Sequence, residues 1–326
     1  MADTFALALS NLLAPAILFF ALGMGAGLLR SDLQEPESAS KTLALYLMRA
    51  IGFKGGVEAA RAGLSASFLS AGAAGVLLSF AIPVAAFGIL KLISRLDRTT
   101  AAATAAHYGS VSVVTFVAGT EFLRSVGVPF GGYMVAVVAL METPAILTAL
   151  LLAGAAGAAG RWRLRGDLLR EVLLNGSVVL LVGAFLIGLA TGDRGMQRLD
   201  MFVNPLFQGV LCLFLLDMGL TAARRLRESR SLTPALVGFG VAMPLLSSLF
   251  AVGVSALFAV RPADAAVLAV LAASASYIAV PAAMRIALPK ADPGVYLTLS
   301  LGVTFPFNLV VGLPLYQWLV KTVLGS

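Results

Sequence analysis

The residues best able to do chemistry are few and stand inside apolar surroundings. "HYGSVSVVTF" (107–116) carries a histidine, a glycine, two serines and a threonine, and "ASASYIAVP" (273–281) carries a second serine pair. Serines at i and i+2 do not share a helix face. In an unwound stretch, however, both hydroxyls and the adjacent amides can point at one ligand. A break also leaves free N–H groups on the following half-helix, whose positive dipole end attracts anions. The candidate binding set is Gly109, Ser110, Ser112 and Thr115 in the first run with Ala273, Ser274, Ser276 and Tyr277 in the second. Pro281 follows the second run. Neither run contains a lysine or arginine, so a bound anion must be balanced by helix ends, a co-bound cation, or both.

Ionisable groups are the next candidates. Glu142 in "METPAI" precedes a proline and stands near Thr304 and Asn308 of "VTFPFN" when the two halves are aligned. The three are candidates for cation binding or coupling, with Glu142 as cation ligand or proton carrier. Lys54 and Asp217 occupy matching positions, and the expected arrangement is an intramembrane ion pair. No phosphate-binding glycine loop, metal-ligand cluster or nucleophile–base pair is visible, so an enzyme is not expected.

The elements that must position these residues follow from composition. The 326-residue chain is 60% hydrophobic and 12% charged, with a mean hydropathy of +0.96. Soluble domains average about 25% charged residues, so the chain is an integral membrane protein. Apolar segments long enough to cross a bilayer as helix fall at 8–29, 42–62, 67–90, 100–122, 131–153, 172–190, 204–222, 234–258, 264–288 and 295–320. The first is read as a retained span, because Asp3 is the only charge before it. The lone Cys212 excludes an intrachain disulfide.

The net charge of +7 is sorted by side rather than gathered for nucleic acid. Fifteen Lys and Arg fall on one alternate set of loops and six on the other. This positive-inside bias puts both termini outside and "RWRLRGDLLR" in the cytoplasm.

The chain also repeats itself. "KGGVEAAR" (54–61) matches "DMGLTAAR" (217–224) at an offset of 163, and Asn11 falls on Asn175. "SVS" (110–112) falls on "SAS" (274–276), "TPAI" lies near "FPFN", and Tyr133 pairs with Tyr296. Five spans per half force opposite orientations, which is the inverted-repeat plan of secondary transporters. The expected fold is all-α, with ten transmembrane helices in two inverted five-helix repeats and the fourth and ninth helices broken. The first repeat covers 1–156, a basic cytoplasmic linker 157–171, and the second repeat 172–326.

"AIGFKGGVE", "HYGSVSVVTF", "LMETPAI", "NPLFQGVLCLFLLDMGL" and "ASASYIAVPAAMRIALPKADPG" together resemble the sodium-dependent bicarbonate transporter family of cyanobacteria and other bacteria. The resemblance implies a core domain moving against a gate domain, a homotrimer in the bacterial inner membrane, and sodium-coupled bicarbonate uptake. In cyanobacterial members it also implies inhibition by a PII-like protein. Tyr277 stands where those members carry an aspartate. No cofactor is expected beyond sodium as coupling ion. Alternative readings are a proton-coupled carrier of another small organic anion, or a membrane receptor or scaffold for a cytoplasmic partner.

Overall fold

The computed structural model describes residues 12–63, 65–154, 174, 176–229 and 231–325. Among them all regular structure is helical: α1 (Pro15–Leu28), α2 (Glu37–Ala62), α3 (Ala66–Ile93), α4 (Arg98–Gly109), α5 (Val113–Ser125), α6 (Met134–Ala153), α7 (Gly176–Val203), α8 (Pro205–Glu228), α9 (Pro234–Leu257), α10 (Pro262–Ala272), α11 (Ala279–Ala287) and α12 (Pro293–Leu324). Seven stretches are long and apolar enough to cross a membrane: α3, α4–α5 taken together, most of α7, and α6, α8, α9 and α12. This is a multi-pass membrane protein. Asn11, Asn175 and the linker 157–171 lie outside the described residues.

Local chemistry sets many of the boundaries. Proline opens α1, α8, α9 and α10, where its missing N–H would have had no helical partner. Asp97 caps α4 by accepting from the amides of Thr99 and Thr100 at 2.9 and 3.0 Å. Burial works to raise the Asp97 carboxyl, but these hydrogen bonds outweigh it and hold the group below its ordinary range. Gly154, left-handed at φ 72°, ends α6.

One expected span changes its end, and two further helices carry proline inside them. The helix expected over 172–190 continues to Val203 as α7, passing Gly192 (φ 53°, ψ −141°). The glycine absorbs the kink, and Asp193 beyond it is held by Arg61 of α2 at 2.6 Å. Pro144 does not break α6, which runs through it. In α12, wide π-helical turns at Thr298–Thr304 and Asn308–Gly312 flank Pro306.

Two helix pairs are packed in the same way. On α2, a Cβ added to Gly56 would stand 1.9 Å from the Phe185 carbonyl oxygen of α7. Reciprocally, one added to Gly188 of α7 would stand 2.2 Å from the oxygen of Phe53. On α8, a Cβ at Gly219 would meet the oxygen of Phe20 on α1 at 2.2 Å, and one at Gly23 that of Leu216 at 2.0 Å. Gly56 and Phe53 lie 163 positions before Gly219 and Leu216, while Phe20 and Gly23 lie 165 before Phe185 and Gly188. Only glycine permits backbones this close, as at small-residue interfaces in membranes.

The other helices form the packing around the serines. α3 packs on α4 and α6, α9 packs on α10 and α12, and α3 meets α9. The apolar window of α4–α5 is 100% buried, against 28% for that of α7. The polar run "HYGSVS" is thereby removed from lipid.

Candidate functional site

The two serine runs are interruptions in helical backbone. α4 ends at Gly109, Ser110 (φ −87°, ψ −179°) and Ser112 (φ −93°, ψ 111°) are extended, and α5 begins at Val113. Between α10 and α11, residues 274–276 are likewise non-helical. The glycine before the break has a packing cause. A Cβ there would lie 2.0 Å from Cγ of Pro83 on α3, so only glycine allows the approach.

The two interruptions are hydrogen-bonded to each other. The Ser112 amide donates to Ser274 Oγ at 2.9 Å, and that hydroxyl donates to the Leu271 carbonyl at 2.7 Å. The Ser276 amide donates to the His107 carbonyl at 2.7 Å. Ser112 Oγ caps α5 by accepting from the Thr115 amide at 3.1 Å. Ser110 Oγ donates to Glu142 Oε2 of α6 at 2.7 Å. All four serines, Thr115 and Glu142 are buried.

Beside the crossing lies a cavity lined by Val111, Ser112, Val113, Glu142, Ser276, Tyr277 and Ile278. Its volume, about 10 Å³, is roughly the room one water needs. Tyr277 packs edge-on against Phe305, ring centroids 5.8 Å apart, with its hydroxyl 3.9 Å from Met218 Sδ.

Other candidates are not brought together. Thr304 Oγ1 donates to the Gly240 carbonyl at 2.7 Å. With its proton so used, it accepts from the Tyr108 hydroxyl at 2.7 Å. Asn308 donates to the Ala273 carbonyl at 2.8 Å and accepts from Tyr316 at 2.5 Å. It thus supports the end of α10 rather than joining Glu142. The expected ion pair between Lys54 and Asp217 is not formed. Lys54 Nζ sits 5.4 Å from the centroid of the Phe207 ring, and Asp217 is buried on α8 with Ser40 and Arg224 acting on it. Matching positions in a sequence alignment carry no distance, and the two side chains have different neighbours.

Sequence reasoning passed over Ser79 of α3, whose hydroxyl faces the carbonyls of Gly109 (2.9 Å) and Met141. The signal was present as a lone serine one turn before Pro83 in an apolar run. It also passed over Asp264 at the head of α10. This fully buried carboxylate accepts from the Gly131 amide (2.7 Å), Tyr133 hydroxyl (2.5 Å) and Arg261 Nε (2.7 Å). Across the molecule, Thr100 near the head of α4 accepts from the Asp292 amide at 3.1 Å. Each broken segment is thereby tied to the loop before the last helix of the other half.

Crossed, buried helix breaks with hydroxyls, amides and a carboxyl can hold a small polar solute at depth. A family model described as the Na+-dependent bicarbonate transporter superfamily matches residues 15–321. The chain belongs to this superfamily. A search of curated proteins finds no match to the chain. As a superfamily member the chain is a transporter, and the match takes in both serine runs, Glu142 and the glycine-packed helix pairs.

Proposed function

We propose that the chain is a secondary active transporter taking up bicarbonate or a similar small anion by alternating access, with sodium as coupling ion. Ten membrane helices in two inverted five-helix repeats would carry it. The reciprocal glycine contacts, repeated at offsets of 163 and 165, support that plan. The observation that carries the functional reading is the hydrogen-bonded crossing of the Ser110–Ser112 and Ser274–Ser276 runs beside a buried carboxyl.

The anion is held by Gly109, Ser110, Ser112 and Thr115 from one side and Ala273, Ser274, Ser276 and Tyr277 from the other. No lysine or arginine lines the cavity. The first turns of α5 and α11 supply partial positive charge, and a cation at Glu142 supplies the rest. The cavity is too small for a bicarbonate ion, so binding requires the two runs to separate. The Ser112 amide then exchanges Ser274 for the ligand. A homotrimer in the bacterial inner membrane and a PII-like protein at the basic face complete the reading implied by the resemblance, and the charge bias places the termini outside.

Sodium-dependent uptake of labelled bicarbonate into proteoliposomes tests this. Ser110→Ala and Ser274→Ala are expected to reduce uptake sharply. Equal uptake with and without a sodium gradient removes the coupling claim.

One observation favours a second reading. Among the described residues Glu142 is buried with a single hydroxyl as hydrogen-bond partner, and no basic group acts on it. An ionised carboxylate so placed is costly, which suits a proton carrier. Under that reading a pH gradient alone drives uptake, and Glu142→Gln abolishes the response.

A further inference from the structure

Four charged residues on two helices gather away from the serine crossing: Lys54 and Glu58 on α2, and Glu121 and Arg124 on α5. Arg124 Nη2 reaches Glu58 Oε1 at 3.3 Å, and its guanidinium lies 5.0 Å from the centroid of the Phe130 ring. Glu121 Oε1 accepts from Gln208 Nε2 of α8. Lys54, one turn before Glu58, feels Arg124, Glu121 and Glu58 together. The far end of α5 is thus bound twice, to α2 through one residue and to α8 through another.

Glu121 and Gln208 also line a cleft of about 390 Å³ between α1, α5, α8 and α12, together with residues including Leu215, Leu309 and Leu313. It has no lining residue in common with the small cavity at Ser112 and Ser276.

Among the described residues the other half of the molecule lacks this arrangement. α5 packs on α10, α12 and α2, whereas α11 packs chiefly on α4 and α6. Arg285, 164 positions after Glu121 as Ser274 is after Ser110, is exposed and acts on Tyr296 of its own half.

We propose that Glu121 and Arg124 form a releasable clasp with Gln208 and Glu58, which shuts the α5 side of the transporter while the α11 side is free. This rests on the alternating-access reading and adds to it the contacts that set which side is closed. Half-exposed polar pairs suit the task, because each contributes little and is readily exchanged for water. An apolar seat of the same extent would hold α5 permanently. Resting on α5 alone, the clasp biases the resting protein toward closure on the face opposite the basic loops.

The test uses the full chain in a Cys212→Ser background, because Cys212 lies one turn from Gln208 on α8. Glu121→Cys with Gln208→Cys is expected to cross-link on oxidation, to lose at least tenfold in solute uptake, and to regain it on reduction. Separately, Arg124→Gln with Gln208→Leu is expected to speed labelling of an Ala118→Cys probe by a membrane-impermeant thiol reagent about fivefold. Absence of the cross-link, or unchanged labelling with uptake indifferent to the disulfide, overturns the clasp. Accelerated labelling in a protein that moves no anion under any gradient leaves the clasp standing and overturns the transport reading instead.

Discussion

The amide of Ser112 donates to the hydroxyl of Ser274 at 2.9 Å, joining two helix breaks 162 positions apart in the chain. Both residues are buried, so Ser274→Ala leaves the Ser112 N–H without its protein acceptor. Such a group costs about 1–3 kcal/mol. Ser274→Ala is expected to lose about that much in denaturation of the detergent-solubilised protein. Ser274→Thr, which keeps the acceptor, is expected to lose less. Equal losses for the two would mean that volume, not the hydrogen bond, matters here.

Gly109 owes its identity to Pro83. With the added Cβ 2.0 Å from the proline Cγ, Gly109→Ala forces α3 and α4 apart and is expected to cost about 1–3 kcal/mol, as overpacking does. Pro83→Ala in the same chain removes the obstructing ring. The double variant is therefore expected to be more stable than the sum of the single losses implies, and a double-mutant cycle measures that coupling. An additive result would place the strain elsewhere.

The glycine exchanges make a prediction about symmetry. Gly56→Ala and Gly219→Ala each press a methyl onto a backbone oxygen of the partner helix, at 1.9 and 2.2 Å. Both are expected to lower the yield of folded protein by similar amounts, read by size-exclusion chromatography. Gly183 on α7 has open space where its Cβ would lie, and Gly183→Ala is expected to be silent or slightly stabilising. Damage from Gly183→Ala equal to that from Gly56→Ala would show that helix propensity, not close packing, sets the result.

How much of this was legible depended on the kind of signal. The serine runs could be found because polar residues in an apolar segment are conspicuous, and their pairing followed from the repeat offset. The multi-pass helical class followed from apolar run lengths. Pairing across the molecule was less accessible. Lys54 and Asp217 match in register but do not touch, because an offset gives equivalence under symmetry and no distance. Thr304 and Asn308 lie near Glu142 in the aligned halves, yet their polar atoms are committed to Gly240, Tyr108, Ala273 and Tyr316. Helix rotation decides such contacts, and the wide turns around Pro306 shift it in a way that no regular period reveals. The continuation of α7 past Gly192 was hidden by a loop-like composition, "TGDRG", whose Asp193 finds its partner Arg61 only after folding.

The carboxylate of Asp264 supplies the last expected outcome. Asp264 is 0% exposed, whereas its partner Arg261 is 50% exposed. The two residues are therefore not equivalent under mutation. Removing the carboxylate leaves a guanidinium that can turn to water, and the Gly131 amide and Tyr133 hydroxyl lose one acceptor. Removing the guanidinium leaves a buried negative charge held by two neutral donors, the situation in which breaking a buried pair costs about 3–5 kcal/mol. Arg261→Ala is thus expected to destabilise the protein by more than Asp264→Asn. The double variant Arg261→Ala, Asp264→Asn is expected to recover part of the loss, because the uncompensated charge is then gone. Thermal denaturation of the three purified variants measures the ordering, and a larger loss for Asp264→Asn than for Arg261→Ala would show that the hydrogen bonds to the 131–133 loop outweigh the buried charge.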